Sequence, residues 1–559
     1  MRQQYEPSAD RIIALYQQLE DDILSAVIRR ILKMGYVSEA SKHQLEVLQA
    51  AGLLYDDIVQ LIADRTDACT AQVKALFEDA GVQTVEMDNS LHEAAGALPI
   101  DIRQDSSTRQ VLEAGYKKTL GTMQNLVSTT ATQTQTAFIQ TCDRIYMQVS
   151  SGAFSYQEAI MNALRALADT GAEVVYPTKH KDRMDVAVRR CVLTGVSQTA
   201  AAVSLRQAED AGCYLMEITA HSGARPDHAK WQGQLVTITG KDAGKIIDGL
   251  RVFTLSEIGY GSGEGFKGWN CRHNWHAYYP GFSTPNYTPE ELKRLDEPCI
   301  SYNGKLYTEY EVSQMQRAQE RRVRAWKRRC ITAQESVNSA TDEATRATAQ
   351  AEYSKSAVHL KANEEKLKDF CKQTGQNRDR FREQVYGFGR SEAQRAVQAN
   401  NSSFRNTMRQ KGIKNPPESI AEFKKMMYNK PDEYKLMQTY SKSVDSGMIS
   451  PLVGYEKYKE YHKRVEKELV GLTTSNGIEI KSQSNHFLER VFGTISDPTH
   501  EGAKRSGVDL EDIAEALKNG SVRQHKNGSY IYKSHNCEVS LNPNTGNLIQ
   551  VTPKKRNVP

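Results

Sequence analysis

The sequence predicts a multi-domain, mainly α protein. Its expected parts are a helical N-terminal region over 1–150, a loop-rich α+β module over 151–300, a long, exposed, charged helix over 301–375, a helical spacer over 376–475, and a small α+β domain with an antiparallel sheet over 476–559. Three observations lead there. A chain of 559 residues exceeds what one core organises, since domains average about 150 residues. Apolar residues recur at three- and four-residue steps along most of its length. Gly, aromatic and His residues concentrate instead in one central span, Gly212 to Pro289.

Composition narrows the function classes. Hydrophobic residues make up 39%, charged residues 25%, and only 16 residues are Pro, which describes a folded chain rather than a disordered one. A net charge of +5 is small for this length and implies no whole-protein field that would capture nucleic acid. The start, "MRQQYEPSADRIIALYQQLEDD", is charged where a signal peptide needs an apolar core, and no window approaches about 18 uninterrupted apolar residues. The expectation is a chain made in the cytoplasm with no membrane span. Nine Cys, at 69, 142, 191, 213, 271, 299, 330, 371 and 537, include no CxxC pair and point to reduced thiols.

The N-terminal pattern Ile12, Leu15, Tyr16, Leu19, Ile23, Val27, Ile28, Ile31, Leu32 reads as an amphipathic helix that ends near Gly35. "SKHQLEVLQAAG", "YDDIVQLIADRT" and "AQVKALFEDAG" read as further helices, each with a polar starter and a Gly at or near its end. Another helix is expected from Met184 to Ala211, followed by a strand at Tyr214 to Thr219 and a turn at "ARPDH". From Glu309 to Phe370 there is no Pro or Gly, so one helix of roughly 60 residues is expected, and its thin apolar stripe implies that it is exposed or paired with another chain. Near the end, "NHFLERVFG" and "VDLEDIAEALKNG" read as helices. "GSYIYKS", "CEVSLNP" and "NLIQVTP", separated by turn residues, read as an antiparallel meander.

Two motifs in the central span carry unusual chemistry. "AHSGARPDH" offers His221, Asp227 and His228, and "CRHNWH" offers Cys271, His273 and His276. Neutral imidazole and thiolate are the usual zinc ligands, and a structural zinc would pin two long loops. The competing reading is ordinary packing, with Arg225 and Arg272 paired to carboxylates. No Ser-His-Asp order, Gly-rich phosphate loop or acidic pair in this span asks for catalysis.

The helices beginning "IIALYQQLEDDILSAVIRRILKMG", the segment "MDVAVRRCVLTGVSQTAA", "ITAHSGARPDHAKWQGQ" and "GYGSGEGFKGWNCRHNWHAYYPG" resemble the tailed-phage minor capsid protein 2 family, which is similar to Mu-type minor head proteins. The resemblance covers about residues 1 to 370. It implies a virion component of the phage head, made in the host bacterium, present in few copies near the portal within an oligomeric assembly and touching portal or capsid subunits. His221, Arg225, Pro226, His228, Trp231, Gly233, Cys271, Arg272 and His273 fall on its motif positions.

The last segment, about 478 to 555, resembles the phage versions of barnase, EndoU, colicin and RelE-type nucleases. That resemblance implies a metal-independent RNase and, if it is an effector, a cognate immunity protein. In-line RNA cleavage needs an acid/base and cations on the phosphate, and no cofactor. His486 would be the acid or base and Arg490, four residues on, the phosphate clamp. Arg523 would join them, and Asn542 and Thr545 would hydrogen-bond phosphate or ribose. From Ala516 onward seven Lys or Arg (518, 523, 526, 533, 554, 555, 556) face one acid, Glu538. The alternative is a purely structural minor capsid protein ending in a non-catalytic binding module.

Overall fold

The computed structural model describes residues 6–36, 38–102, 104–176, 178–493 and 506–554. The chain divides into two compact units, Met1–Val397 and Gln398–Pro559.

The first unit opens with α1 (Glu6–Met34), α2 (Ala40–Ala94), α3 (Ser106–Ser150) and α4 (Tyr156–Thr170). The predicted stripe of α1 is its buried face: Ile12, Leu19, Ile23, Val27 and Ile31 are all at most 3% exposed. α2 is one helix of 55 residues where three were expected, because its glycines do not stop it. Gly81 serves packing instead: a Cβ there would lie 2.6 Å from Leu112. Polar residues set the helix starts. Asp105 accepts from Ser107 and Thr108 backbone N–H groups at α3, and Ser155 with Glu158 forms a capping box at α4. A short antiparallel hairpin, β1 (Glu173–Val175) and β2 (Lys181–Arg183), leads into α5 (Met184–Asp210). The five helices share one apolar core, from Ala9 to Val196, which Ala349 also joins.

The loop-rich module follows as a mixed sheet of β3 (Leu215–Ile218), β4 (Leu235–Thr237), β5 (Ile246–Ile247), β6 (Leu250–Thr254) and β7 (Trp275–Tyr278), ordered β5-β6-β4-β3-β7. β3 is buried along its whole length and runs antiparallel to both β4 and β7. Its register pairs Glu217 with Leu235 and Ile218 with Trp275. The β3–β4 loop therefore leaves the sheet at the same end where the β6–β7 loop enters it, which brings the two His-containing motifs together.

α6 (Pro289–Leu295) and a hairpin of β8 (Ile300–Tyr302) and β9 (Lys305–Tyr307) precede the charged stretch. That stretch corrects the expectation of a single long, exposed helix. It is a helical hairpin, α7 (Glu309–Ser339) and α8 (Glu343–Thr374), whose two arms pack on each other. Asp342 breaks it: its Oδ1 accepts from Thr345 N at 2.8 Å and starts a new helix. The thin stripe is thereby covered from within, with Val312, Val323 and Cys330 buried on one arm and Tyr353, Leu360 and Leu367 on the other. Trp326 stacks on His359 at 4.4 Å. Gly375, at φ 70°, closes α8 in the left-handed conformation.

α9 (Arg390–Gln410) begins in the first unit and ends in the second, which then contains α10 (Ile420–Asn429), α11 (Pro431–Asp445) and α12 (Tyr455–Glu468). There follow β10 (Ser482–Gln483), α13 (Asn485–Val491), α14 (Leu510–Asn519), β11 (Ser521–Gln524), β12 (Tyr530–Lys533), β13 (Cys537–Asn542) and β14 (Asn547–Pro553). The expected meander is present as β12-β13-β14, extended on one side by β11 and on the other by β10, which runs parallel to β14. Spacer and terminal sheet are not separate bodies: Met437, Tyr440 and Tyr458 share one core with Phe487, Ile513, Tyr532 and Val551. Among the described residues no helix is long and apolar enough to cross a membrane.

Candidate functional site

At the end of the central sheet, His228, Cys271 and His273 are all buried, and their potential ligand atoms lie within 4.8 Å of one another. The Cys271 thiol is 3.6 Å from His273 Nδ1. His221 adjoins them, its ring 4.4 Å from that of His273. Each imidazole is anchored through one nitrogen to an oxygen. His221 Nδ1 lies 2.9 Å from the Ser222 carbonyl, His228 Nε2 2.8 Å from the Glu264 carbonyl, and His273 Nε2 3.2 Å from Gln232 Oε1. The second nitrogen of His273 faces the Cys271 thiol, and His221 Nε2 is buried without a hydrogen-bond partner.

Burial holds all three rings neutral. It lowers the pKa of His221 and His228, and with the neighbouring histidines, Lys267 and Arg225 it brings His273 down to about 2. Burial also pushes the Cys271 thiol up. Lys267, wholly enclosed, is brought down to about 8 by desolvation, and its ammonium donates to Asn274 Oδ1 at 2.9 Å.

The remaining motif residues build the walls. Trp231 is buried, 4.4 Å from the His228 ring and 4.7 Å from His273, and meets Phe266 edge-on at 5.7 Å. Gly233 has φ +67°, and a Cβ there would lie 2.5 Å from Leu292. Arg225 donates to the Glu264 carbonyl, so one guanidinium ties the first loop to the second, while Pro226 sits exposed in the turn. Arg272 is exposed and lines a cleft of about 430 Å³ together with Arg189, Arg190, Arg321 and Arg324.

Two of the six candidate ligands are outside this close group. Asp227 is exposed on the turn, paired with Arg225 at 3.6 Å and with its other carboxylate oxygen 3.9 Å from Nε2 of His228. His276, on β7, faces the buried Glu217 at 3.3 Å, and Asn286 donates to that same carboxylate. The two loops also have an apolar core of their own, built on Trp231, Ile258, Phe266 and Trp275. Gln232 and the Glu264 carbonyl, which orient the imidazoles, were missed in the sequence. An amide at an ordinary spacing and a backbone oxygen leave no signal there.

In the second unit, His486 and Arg490 adjoin as their spacing implied, with Arg490 Nε 3.4 Å from His486 Nε2. His486 Nδ1 lies 3.4 Å from Glu489 Oε2, and Glu489 also accepts from Ser443 at 2.5 Å. Arg490 is buried at 5% exposure. Arg523 is not brought to them. It lies on β11, the far edge of the sheet, whereas α13 follows β10 and packs on β14 at the opposite edge. Asn542 Oδ1 accepts from Asn544 N at 3.0 Å and Thr545 N at 3.3 Å, so these residues shape their own turn. Of the basic residues, Lys533 is paired with Glu538 at 3.2 Å, and Lys555 and Arg556 lie outside the described residues.

Fold and site together define a mainly helical, multi-domain protein whose central module is closed over a buried imidazole–thiol cluster. Residues 2–372 match the family described as phage minor capsid protein 2, and the chain belongs to it. It is 24% identical over 333 residues to a protein of Lactococcus phage LL-H named "Structural protein", covering 57% of this chain and 86% of that one. It is 37% identical over 81 residues to a protein of the same name from Lactococcus phage mv4, covering 14% of this chain and 57% of that one. No solved structure matches it.

Proposed function

We propose that this protein is a minor structural component of the phage virion, made in the host cytoplasm and built into the head, where its first unit docks on portal and capsid subunits. The observation that carries the reading is an uncovered apolar face on α2. Leu45, Leu48 and Val59 are 68%, 60% and 44% exposed. At 3.6 residues per turn they fall within about 60° of one another around the helix. A helix that keeps such residues in solvent is suited to an assembly that buries them. The two relatives, each named as a structural protein, support the same reading. The test is incorporation: a Leu45→Glu/Leu48→Glu double variant should melt like the parent yet be missing from purified particles. Incorporation at the parental level would rule out this face as the contact.

The second unit fits best as a binding module of the same structural protein. Its five candidate nuclease residues do not converge: His486 adjoins Arg490, Asn542 and Thr545 meet within their own turn, and Arg523 lies on the opposite edge of the sheet. One observation favours the other reading, an RNase with an immunity protein as partner: His486 stands between Glu489 and Arg490, an imidazole with a carboxylate on one nitrogen and a guanidinium near the other. Incubating the full chain, in excess, with total RNA separates the two. Intact RNA is the expected result, and cleavage that disappears in a His486→Ala variant would replace the binding reading with the nuclease one.

A further inference from the structure

We propose that His228, Cys271 and His273 bind one zinc ion, with His221 as the fourth ligand, as a structural clasp between the β3–β4 and β6–β7 loops. The inference is independent of where in the virion the protein resides.

Four features of the molecule converge on it. The three ligand atoms already lie within 4.8 Å of one another in a buried volume, as atoms about to share a tetrahedral ion at bond lengths of about 2.0–2.3 Å should. The donor set, imidazole nitrogens and a thiol with no carboxylate, selects zinc or its surrogate cobalt over magnesium or calcium. Metal-binding histidines characteristically turn their other ring nitrogen to a carbonyl or side-chain oxygen, and all three rings have one nitrogen so placed here, against Ser222, Glu264 and Gln232, with Arg225 Nη2 also 2.6 Å from that of His228. His221 Nε2 is a buried nitrogen with no hydrogen-bond partner, a costly state that a metal bond relieves.

Packing alone leaves these features without a reason. Trp231, Phe266 and Trp275 already supply the loops with an apolar core, yet three polar groups, His228, Cys271 and His273, are buried beside it and His221 half-buried. Binding replaces the thiol S–H bond with an S–Zn bond and releases that proton to solvent, so one proton leaves for each ion bound. The ion would join residues 43 to 52 positions apart in sequence through a single point, counted from His228 to Cys271 and from His221 to His273.

The test uses the full chain, purified without chelators and then also reconstituted with Zn²⁺ or Co²⁺. About one equivalent of zinc per chain is expected. The cobalt form should show the strong visible bands of a tetrahedral site and a thiolate-to-cobalt band in the near ultraviolet. Cys271→Ser should abolish the ultraviolet band, and His221→Ala should weaken cobalt binding at least tenfold. Less than about a tenth of an equivalent of zinc after reconstitution would overturn the proposal. So would a cobalt spectrum without the thiolate band, or one unchanged in Cys271→Ser. Should a variant fail to fold, the parent's zinc content and cobalt spectrum decide alone.

Discussion

Cys271 Sγ lies 3.6 Å from Nδ1 of His273, two residues along the chain, so both side chains enter the same interior volume. The turn that presents them is unusual: Asn270 holds φ +57° and Lys267 φ +60°. Left-handed backbone is tolerated by Asn and easy for Gly, but crowds a β-branched side chain. Asn270→Gly should therefore leave the melting of the first unit nearly unchanged, and Asn270→Val should cost about 1–3 kcal/mol. Equal stability of the two variants in chemical denaturation would show that the turn is not held left-handed.

Two glycines of the first unit should respond in opposite directions to the same substitution. Gly268 begins the Cys271 motif, and a Cβ there would lie 2.1 Å from the Ser262 carbonyl oxygen, a backbone atom that cannot swing aside. Gly121 is inside α3 with nothing within 4 Å. Gly268→Ala is expected to lose more than about 2 kcal/mol through overpacking. Gly121→Ala should gain up to about 1 kcal/mol from better helix propensity. Calorimetry of the two variants checks the contrast, and a stabilised Gly268→Ala would mean that the loop approach is looser than described.

How far such features could be read in advance differs by kind. Helical stripes were legible because burial imposes the period: every residue of the α1 pattern from Ile12 to Leu32 is buried except Leu15, which still packs against the core. Helix ends were less so. Gly52 and Gly81 looked like stops but sit inside α2, since tertiary packing outweighs a helix penalty of about 1 kcal/mol per glycine. The break at Asp342 was invisible for the opposite reason, a single capping residue in a run dense in Ala, Glu and Gln. β11, "SVRQ", is an exposed edge strand with no apolar alternation to announce it. The cluster itself was legible in its residue types, and its closure was not, because the register Ile218 with Trp275 that joins the loops is long-range.

The break between α7 and α8 rests on one carboxylate. Asp342 Oδ1 accepts from Thr345 N at 2.8 Å, and Thr345 Oγ1 donates to Oδ2 at 2.7 Å. Asp342→Ala should cost about 1 kcal/mol, while Asp342→Asn retains most of the cap. Denaturant titrations of the two variants test this. If Asp342→Ala proves as stable as the parent, packing between the arms alone fixes the turn.

Asp88 gives the first unit a pH dependence of predictable sign. It is 2% exposed on α2, accepts from Ser204 Oγ at 2.5 Å, and has its other oxygen, Oδ1, buried without a partner. Burial raises its pKa from 3.8 to about 6, although Ser204, His276 and Lys267 pull the other way. The folded state thus keeps a proton that the unfolded chain releases near 3.8, so between about pH 4 and pH 6 folding binds the extra proton. Stability from this group is fully present below that window and is lost as pH rises through it, by up to about 3 kcal/mol for a shift of about two units. Asp88→Asn cannot ionise and can still accept from Ser204. It should match the parent at pH 4 and exceed it by up to about 3 kcal/mol at pH 7. Parallel urea titrations at the two pH values isolate the group from every other titration they share, and a variant equally destabilised at both would assign Asp88 a paired, charged role instead.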